Sequence, residues 1–238
     1  MSPAEYAFVF VVLASAAALQ SGLGFGMNLL AAPLVALVEP RLVPGPLLVA
    51  AIALTLFIAR RERADVDWSG MRWVMGGRLP GTVLGALFVA SISTSGIAIA
   101  VGVAVLLAAA LAAIDLGLRP TPATLLGAGL VSGFSGTVSS IGGPPLAVVY
   151  ARQPGAVIRG TLSVIFVVGG FVSAGALALV GKLGGAELEL ALLLLPPVIV
   201  GFFSSRGLAS HLDAGRTKAA VLTVSVLGAI AVIASELV

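Results

Sequence analysis

The chain has 238 residues, of which 59% are hydrophobic and only 10% charged, and its mean hydropathy is strongly positive. That composition excludes a soluble globular domain and points to an integral membrane protein. Thirteen basic residues against ten acidic ones leave a formal charge of +3, and with no cysteine present, disulfides, thiolate chemistry and Cys-ligated zinc are excluded.

A closed barrel would need polar and apolar residues to alternate over strands of about ten residues. No such alternation occurs, so the apolar segments read as helices of an all-α polytopic membrane protein. In chain order the first, at 4–20, lacks the basic n-region of a signal peptide and is expected to be a retained helix. Segments follow at 26–38, 43–60, 70–91 and 95–114, and then at 121–132, 138–151, 157–180, 188–205 and 217–236. Two short pieces around a glycine-rich motif and three longer ones thus occur twice, in residues 1–116 and again in 117–238. The motifs align without a gap. "SGLGFGMNLLAAPL" from Ser21 lies on "SGFSGTVSSIGGPP" from Ser132, pairing Ser21 with Ser132 and Pro33 with Pro144. Further on, "LPGTVLG" from Leu79 matches "LPPVIVG" from Leu195. Weak internal symmetry of this kind marks many transporter folds.

The short pieces 28–41 and 139–152 each cover about 21 Å, against a hydrocarbon core of about 30 Å. If each short pair returns to the side it entered from, Arg60, Arg61, Arg63, Arg72, Arg78, Arg119, Arg152, Arg159, Arg206, Arg216 and Lys218 share one face, with Arg41 and Lys182 opposite. If each pair crosses once, the basic residues divide almost evenly. The positive-inside rule selects the same-side return. A return plus three crossings is an odd number, so the second half enters the membrane upside down. The expected architecture is two inverted-topology repeats, each a short re-entrant helical hairpin plus three transmembrane helices, with both termini outside a bacterial-type plasma (inner) membrane.

Glycine-rich tips at membrane depth expose backbone N–H groups, and the second arm of each hairpin starts there, with the positive end of its helix dipole toward the bilayer centre. Two such ends meeting from opposite sides make an anion site. The candidate binding residues are Gly24, Gly26, Asn28, Ser135, Gly136, Thr137, Ser139, Ser140, Gly142, Gly143 and Pro144, the glycines for close backbone approach and Asn28 with the hydroxyls as donors. The plainer reading of such small residues is close helix packing, with hydroxyls bonded back to their own helix. Arg78 and Arg159 are candidate gate residues, against an ordinary role as cytoplasmic anchors. Every Asp and Glu falls at a helix end or in a loop, so a buried carboxylate proton relay is unsupported. The single His211 reads as a solvated loop residue beside Asp213. No cofactor or metal is expected.

The stretches "SGFSGTVSSIGGPPLAVVY", "SGLGFGMNLLAAPLVAL" and "RGTLSVIF" from Arg159 resemble the sulfite exporter TauE/SafE family of membrane transport proteins, over the whole chain in repeat pattern and span number. The resemblance implies export of sulfite, sulfoacetate or related organosulfur anions, with the two motifs near the transport path. A carrier of small carboxylates such as 2-oxo acids fits the same donors. An embedded enzyme lacks a nucleophile and base side by side, and a structural subunit remains a third reading. The expected partners are the bilayer and a small anionic substrate, with a second copy of the chain as a candidate and no nucleic acid.

Overall fold

The computed structural model describes residues 1–114, 116–208 and 214–237, with backbone alone in 206–208 and 214–219. His211, Asp213 and Asp115, and the side chains of Arg206, Arg216 and Lys218, therefore lie outside the described residues. The protein is an all-α polytopic membrane protein. Its helices are α1 (Pro3–Leu23), α2 (Met27–Val38), α3 (Gly45–Arg61), α4 (Trp68–Ser91), α5 (Thr94–Ala113), α6 (Pro122–Ser139), α7 (Gly143–Tyr150), α8 (Gly155–Leu179), α9 (Gly185–Leu208) and α10 (Ala214–Leu237). Among the described residues, α1, α4, α5, α8, α9 and α10 are long and apolar enough to cross a membrane.

Side-chain caps start several of these helices. Ser2 accepts from the Glu5 amide while Glu5 accepts from the Ser2 amide, Asp67 accepts from Gly70 N, and Ser93 accepts from Gly96 N, each supplying an orphan donor of a first turn. The starts of α2 and α7 lack such a cap and follow glycines instead.

Two expected boundaries differ. The first segment was expected to be a short arm ending at 20, yet α1 runs 21 residues to Leu23, about 31 Å, enough to cross on its own. It passes through Gln20 and Ser21 because both are satisfied locally. Ser21 Oγ donates to Ala17 O at 2.7 Å, and Gln20 Oε1 accepts the Met27 amide at 2.9 Å. Gly24, at φ +90°, then ends the helix. In the second copy the break was expected near 132–138, but α6 continues to Ser139. Its hydroxyls sustain it: Ser135, Thr137 and Ser139 all donate to carbonyls one turn back, at 2.8 Å.

After Ser140 the chain doubles back. Ser135 Oγ also donates to Ile141 O at 2.8 Å, and Ser132 Oγ donates to Gly142 O at 2.6 Å. α7 then returns toward the start of α6, where Tyr150, Val149 and Leu125 share a buried cluster with Val74. Gly117 and Arg152, which flank this hairpin, are neighbours. The hairpin therefore returns to its own side. The face it returns to also holds the α3–α4 and α7–α8 connections. Arg159 pairs with Glu62 at 3.0 Å, and Tyr150 OH donates to Asp67 Oδ2 at 3.0 Å.

The halves pack reciprocally: α4 on α6 and α9 on α1, α3 on α9 and α8 on α4, with α3 against α8 and α5 against α10. The α4–α6 seam is built on Gly77, Gly81 and Gly85, whose missing side chains admit the backbone at Leu126, Leu130 and Phe134, while Gly129 and Gly133 receive Val74 and Arg78 carbonyls. The two helices run parallel in this seam, so both begin on the same face.

Candidate functional site

Arg78 lies ten residues past the start of α4 and Ser132 ten past the start of α6, about 15 Å in from a shared face and half the depth of a hydrocarbon core. The two side chains meet: Arg78 Nη1 donates to Ser132 Oγ at 2.6 Å. Ser132 passes its own proton to Gly142 O, so one hydroxyl fixes both the guanidinium and the returning chain. Phe166 of α8 lies under the guanidinium, its ring centre 5.9 Å from Cζ. Gly169 of the same helix provides the hollow for the Arg78 stem, because a Cβ there would overlap Nε.

Arg78 is only 3% exposed, and among the described residues its Nε is buried without a partner, no salt bridge compensates its charge and Nη2 has no hydrogen-bond partner. Burying a guanidinium costs several kcal/mol unless it is paired. Ser132 and the Phe166 ring are its protein partners among the described residues, so part of its hydrogen-bonding capacity and its charge stay open to a partner in the space beside it.

The space beside it is a cavity of about 40 Å³, against the 10–15 Å³ or so that one enclosed water needs. Both motifs border it. Gly26, Asn28 and Leu29 come from the first, with Gln20 just before it, Gly136, Ser140, Ile141, Gly142, Gly143 and Pro144 from the second, and Leu48, Ala51, Ile52 and Thr55 of α3 with Phe166 complete the border. The motifs touch directly, since Asn28 Nδ2 donates to Ser140 O at 2.8 Å. Ser140, at φ +62°, turns its Oγ away to Pro44 O at 2.6 Å, which ties the second tip to the start of α3.

Backbone amides contribute unequally. α7 begins Gly-Pro-Pro, and two prolines remove two of its first-turn donors. In α2 the Met27 amide is taken by Gln20, leaving those of Asn28 and Leu29 without an intrahelical partner by position. The two helix starts named as candidate dipole ends therefore differ in the donors they offer. The Arg78 guanidinium carries the positive charge, and α2 offers more free amides than α7.

Of the sequence candidates, Gly26, Asn28, Gly136, Ser140, Gly142, Gly143, Pro144 and Arg78 border the cavity. Ser135, Thr137 and Ser139 do not. Ser135 borders a lipid-facing groove beside Val131 and Phe134. Thr137 donates to Ser173 Oγ on α8 at 2.9 Å as well as to its own helix, and Ser139 is bonded back to Ser135 O. Gly24 sits against the Cα of Arg159 instead. Arg159 is engaged by Glu62 through Nε at 3.0 Å and Nη2 at 3.4 Å. Sequence reasoning missed Gln20, Ser132, Thr55, Phe166 and Gly169. The signal for Ser132 was its pairing with Ser21 at the head of each motif; for Gln20, it was an uncharged amide in an otherwise apolar helix.

A model of the family described as Sulfite exporter TauE/SafE matches residues 8–232. No curated protein and no solved structure matches the chain.

Proposed function

The chain belongs to the sulfite exporter TauE/SafE family, a family of membrane transporters, and from that premise we propose that it exports small organosulfur oxyanions, sulfite, sulfoacetate or related sulfonates, through the cavity between its two motifs. The observation that carries this reading is Arg78: a buried guanidinium with no ion pair among the described residues, bordering a cavity where Asn28 of one motif and Ser140 of the other are joined. Export needs no buried carboxylate, because an interior-negative potential favours anion exit by about 2.3 kcal/mol per charge per 100 mV.

Transport proceeds by alternating access, with residues 1–116 and 117–238 as inverted repeats that rock about this site. The reciprocal helix pairs between the halves support that arrangement. The arginine-bearing face lies inside and both termini lie outside a bacterial-type inner membrane, following the positive-inside rule. The test is flux in proteoliposomes over a panel of sulfite, sulfoacetate, sulfate, thiosulfate and small 2-oxo carboxylates, with and without an imposed potential. Arg78→Gln abolishes flux of every transported anion, while Arg72→Gln, an exposed residue stacked on Trp73, leaves it unchanged. Carboxylate flux exceeding that of every sulfur anion assigns the cavity to 2-oxo acids instead. Full flux in Arg78→Gln overturns the site.

A further inference from the structure

Resting on the reading of this cavity as the transport site, we infer that it takes its oxyanion as a monoanion that still bears a hydrogen, of the hydrogen sulfite kind, in preference to the dianion. Two independent features lead there. The first is charge. The cavity is bordered by residues of α1, α2, α3, α4, α6, α7 and α8, and among these described residues Arg78 is the one charged or titratable side chain. A single negative charge is neutralised there. A second has no counter-charge in a space bordered by Leu29, Leu48, Ile52 and Phe166, and an unpaired buried charge is strongly disfavoured.

The second feature is Asn28. Its carboxamide orientation is fixed by chemistry, because the Ser140 carbonyl can only accept and so must meet Nδ2, as it does at 2.8 Å. Its Oδ1 is thereby left as a buried acceptor with no partner among the described residues. Such an atom needs a donor. Sulfate and fully deprotonated sulfite carry acceptors alone. A hydrogen sulfite anion can offer oxygens to the Arg78 guanidinium and its O–H to the Asn28 carboxamide, the two cavity-bordering side chains with a buried polar atom left unpartnered among the described residues. Because no other titratable side chain borders the cavity, the pH dependence of recognition belongs to the ligand.

The experiment measures binding to the purified full-length protein by ligand-induced thermal shift, across the neutral range in which hydrogen sulfite gives up its proton. Sulfite affinity falls with rising pH by about tenfold per pH unit beyond the anion's own pKa, the slope of a one-proton linkage. Methanesulfonate, a monoanion without an O–H, binds about tenfold more weakly than hydrogen sulfite, the loss of one hydrogen bond, and sulfate binds more weakly still. Asn28→Leu lowers hydrogen sulfite to the methanesulfonate level, and Arg78→Gln removes all three. Sulfite binding that is independent of pH, or sulfate and methanesulfonate binding as tightly as hydrogen sulfite, overturns the inference while leaving the anion site intact. If none of the three binds the unaltered protein, the anion site itself fails. The comparison of ligands needs no variant, so a misfolded Asn28→Leu does not decide it.

Discussion

Gly169 governs Arg78 without touching the cavity. A Cβ at this position on α8 would overlap the Arg78 Nε and crowd Cδ and Cζ, and the guanidinium is already held from the other side by Ser132. Gly169→Ala therefore displaces the cation from the cavity wall. Gly127→Ala is the control, because its added methyl meets nothing within 4 Å. The expected outcome for Gly169→Ala is at least a tenfold loss of anion affinity with a melting temperature close to that of Gly127→Ala; full affinity would separate the guanidinium's position from its function. In the sequence Arg78 stood with Arg159 as a candidate gate residue, while the charge count placed it with the basic residues of one face. Its burial comes from glycines on two other helices, Gly133 at its carbonyl and Gly169 at its side chain, and no spacing within α4 announces them.

The α4–α6 seam tests packing at the level of an element. Gly77, Gly81 and Gly85 recur every fourth residue, so they share one face of α4, and each would place a Cβ against α6 backbone that cannot move aside. Gly81→Leu is expected to lower stability by about 3 kcal/mol or more, at or beyond the upper end for overpacking, read as a fall in melting temperature in detergent together with loss of monodisperse protein. Gly127→Ala, on the exposed side of α6, is neutral or gains up to about 1 kcal/mol of helix propensity. The helical elements were readable from apolar runs, and the same-side return of the second hairpin from basic residues. The hairpin boundaries were not, because glycine and hydroxyl residues that look like a break sustain a helix when each hydroxyl bonds one turn back, as Ser135, Thr137 and Ser139 do. The same local bonds withdraw these three from the cavity, which is why composition pointed to the right segment and to only some of its side chains. The alignment that pairs Leu79 with Leu195 places Leu194 opposite Arg78. Leu194 is fully buried in the apolar core, so this alignment sets a charge in one segment against an apolar side chain in the other.

On the scale of the whole molecule, the contacts that join the halves differ at the two ends of the cavity. On the arginine-bearing face Glu62 of the first half binds Arg159 of the second at 3.0 Å, and Arg61, paired with the same carboxylate at 2.9 Å, also donates to Ser21 O at the first hairpin. At the other end Ser140 Oγ donates to Pro44 O. Under the alternating access proposed above, opening toward the arginine face breaks the Glu62 cluster. Burial on its own would raise the Glu62 pKa, but the hydrogen bond and charge of Arg159, then those of Arg61, outweigh it and hold the carboxyl below its ordinary value. A freed Glu62 takes up a proton at higher pH than the paired one, so the closed arrangement is favoured above the ordinary carboxylate range and loses that advantage as pH falls through the lowered value. The cysteine-free sequence makes this measurable. With Thr55, which borders the cavity from α3, replaced by cysteine, labelling by a membrane-impermeant thiol reagent from the arginine face, divided at each pH by the rate for the unfolded protein because the reactive thiolate becomes scarcer in acid, rises several-fold on acidification. Adding Glu62→Gln raises this normalised rate at neutral pH and removes its pH dependence. Equal rates with and without Glu62→Gln would mean that the pair decorates a surface and that the barrier to the cavity lies elsewhere, in the packing of α3 against α8.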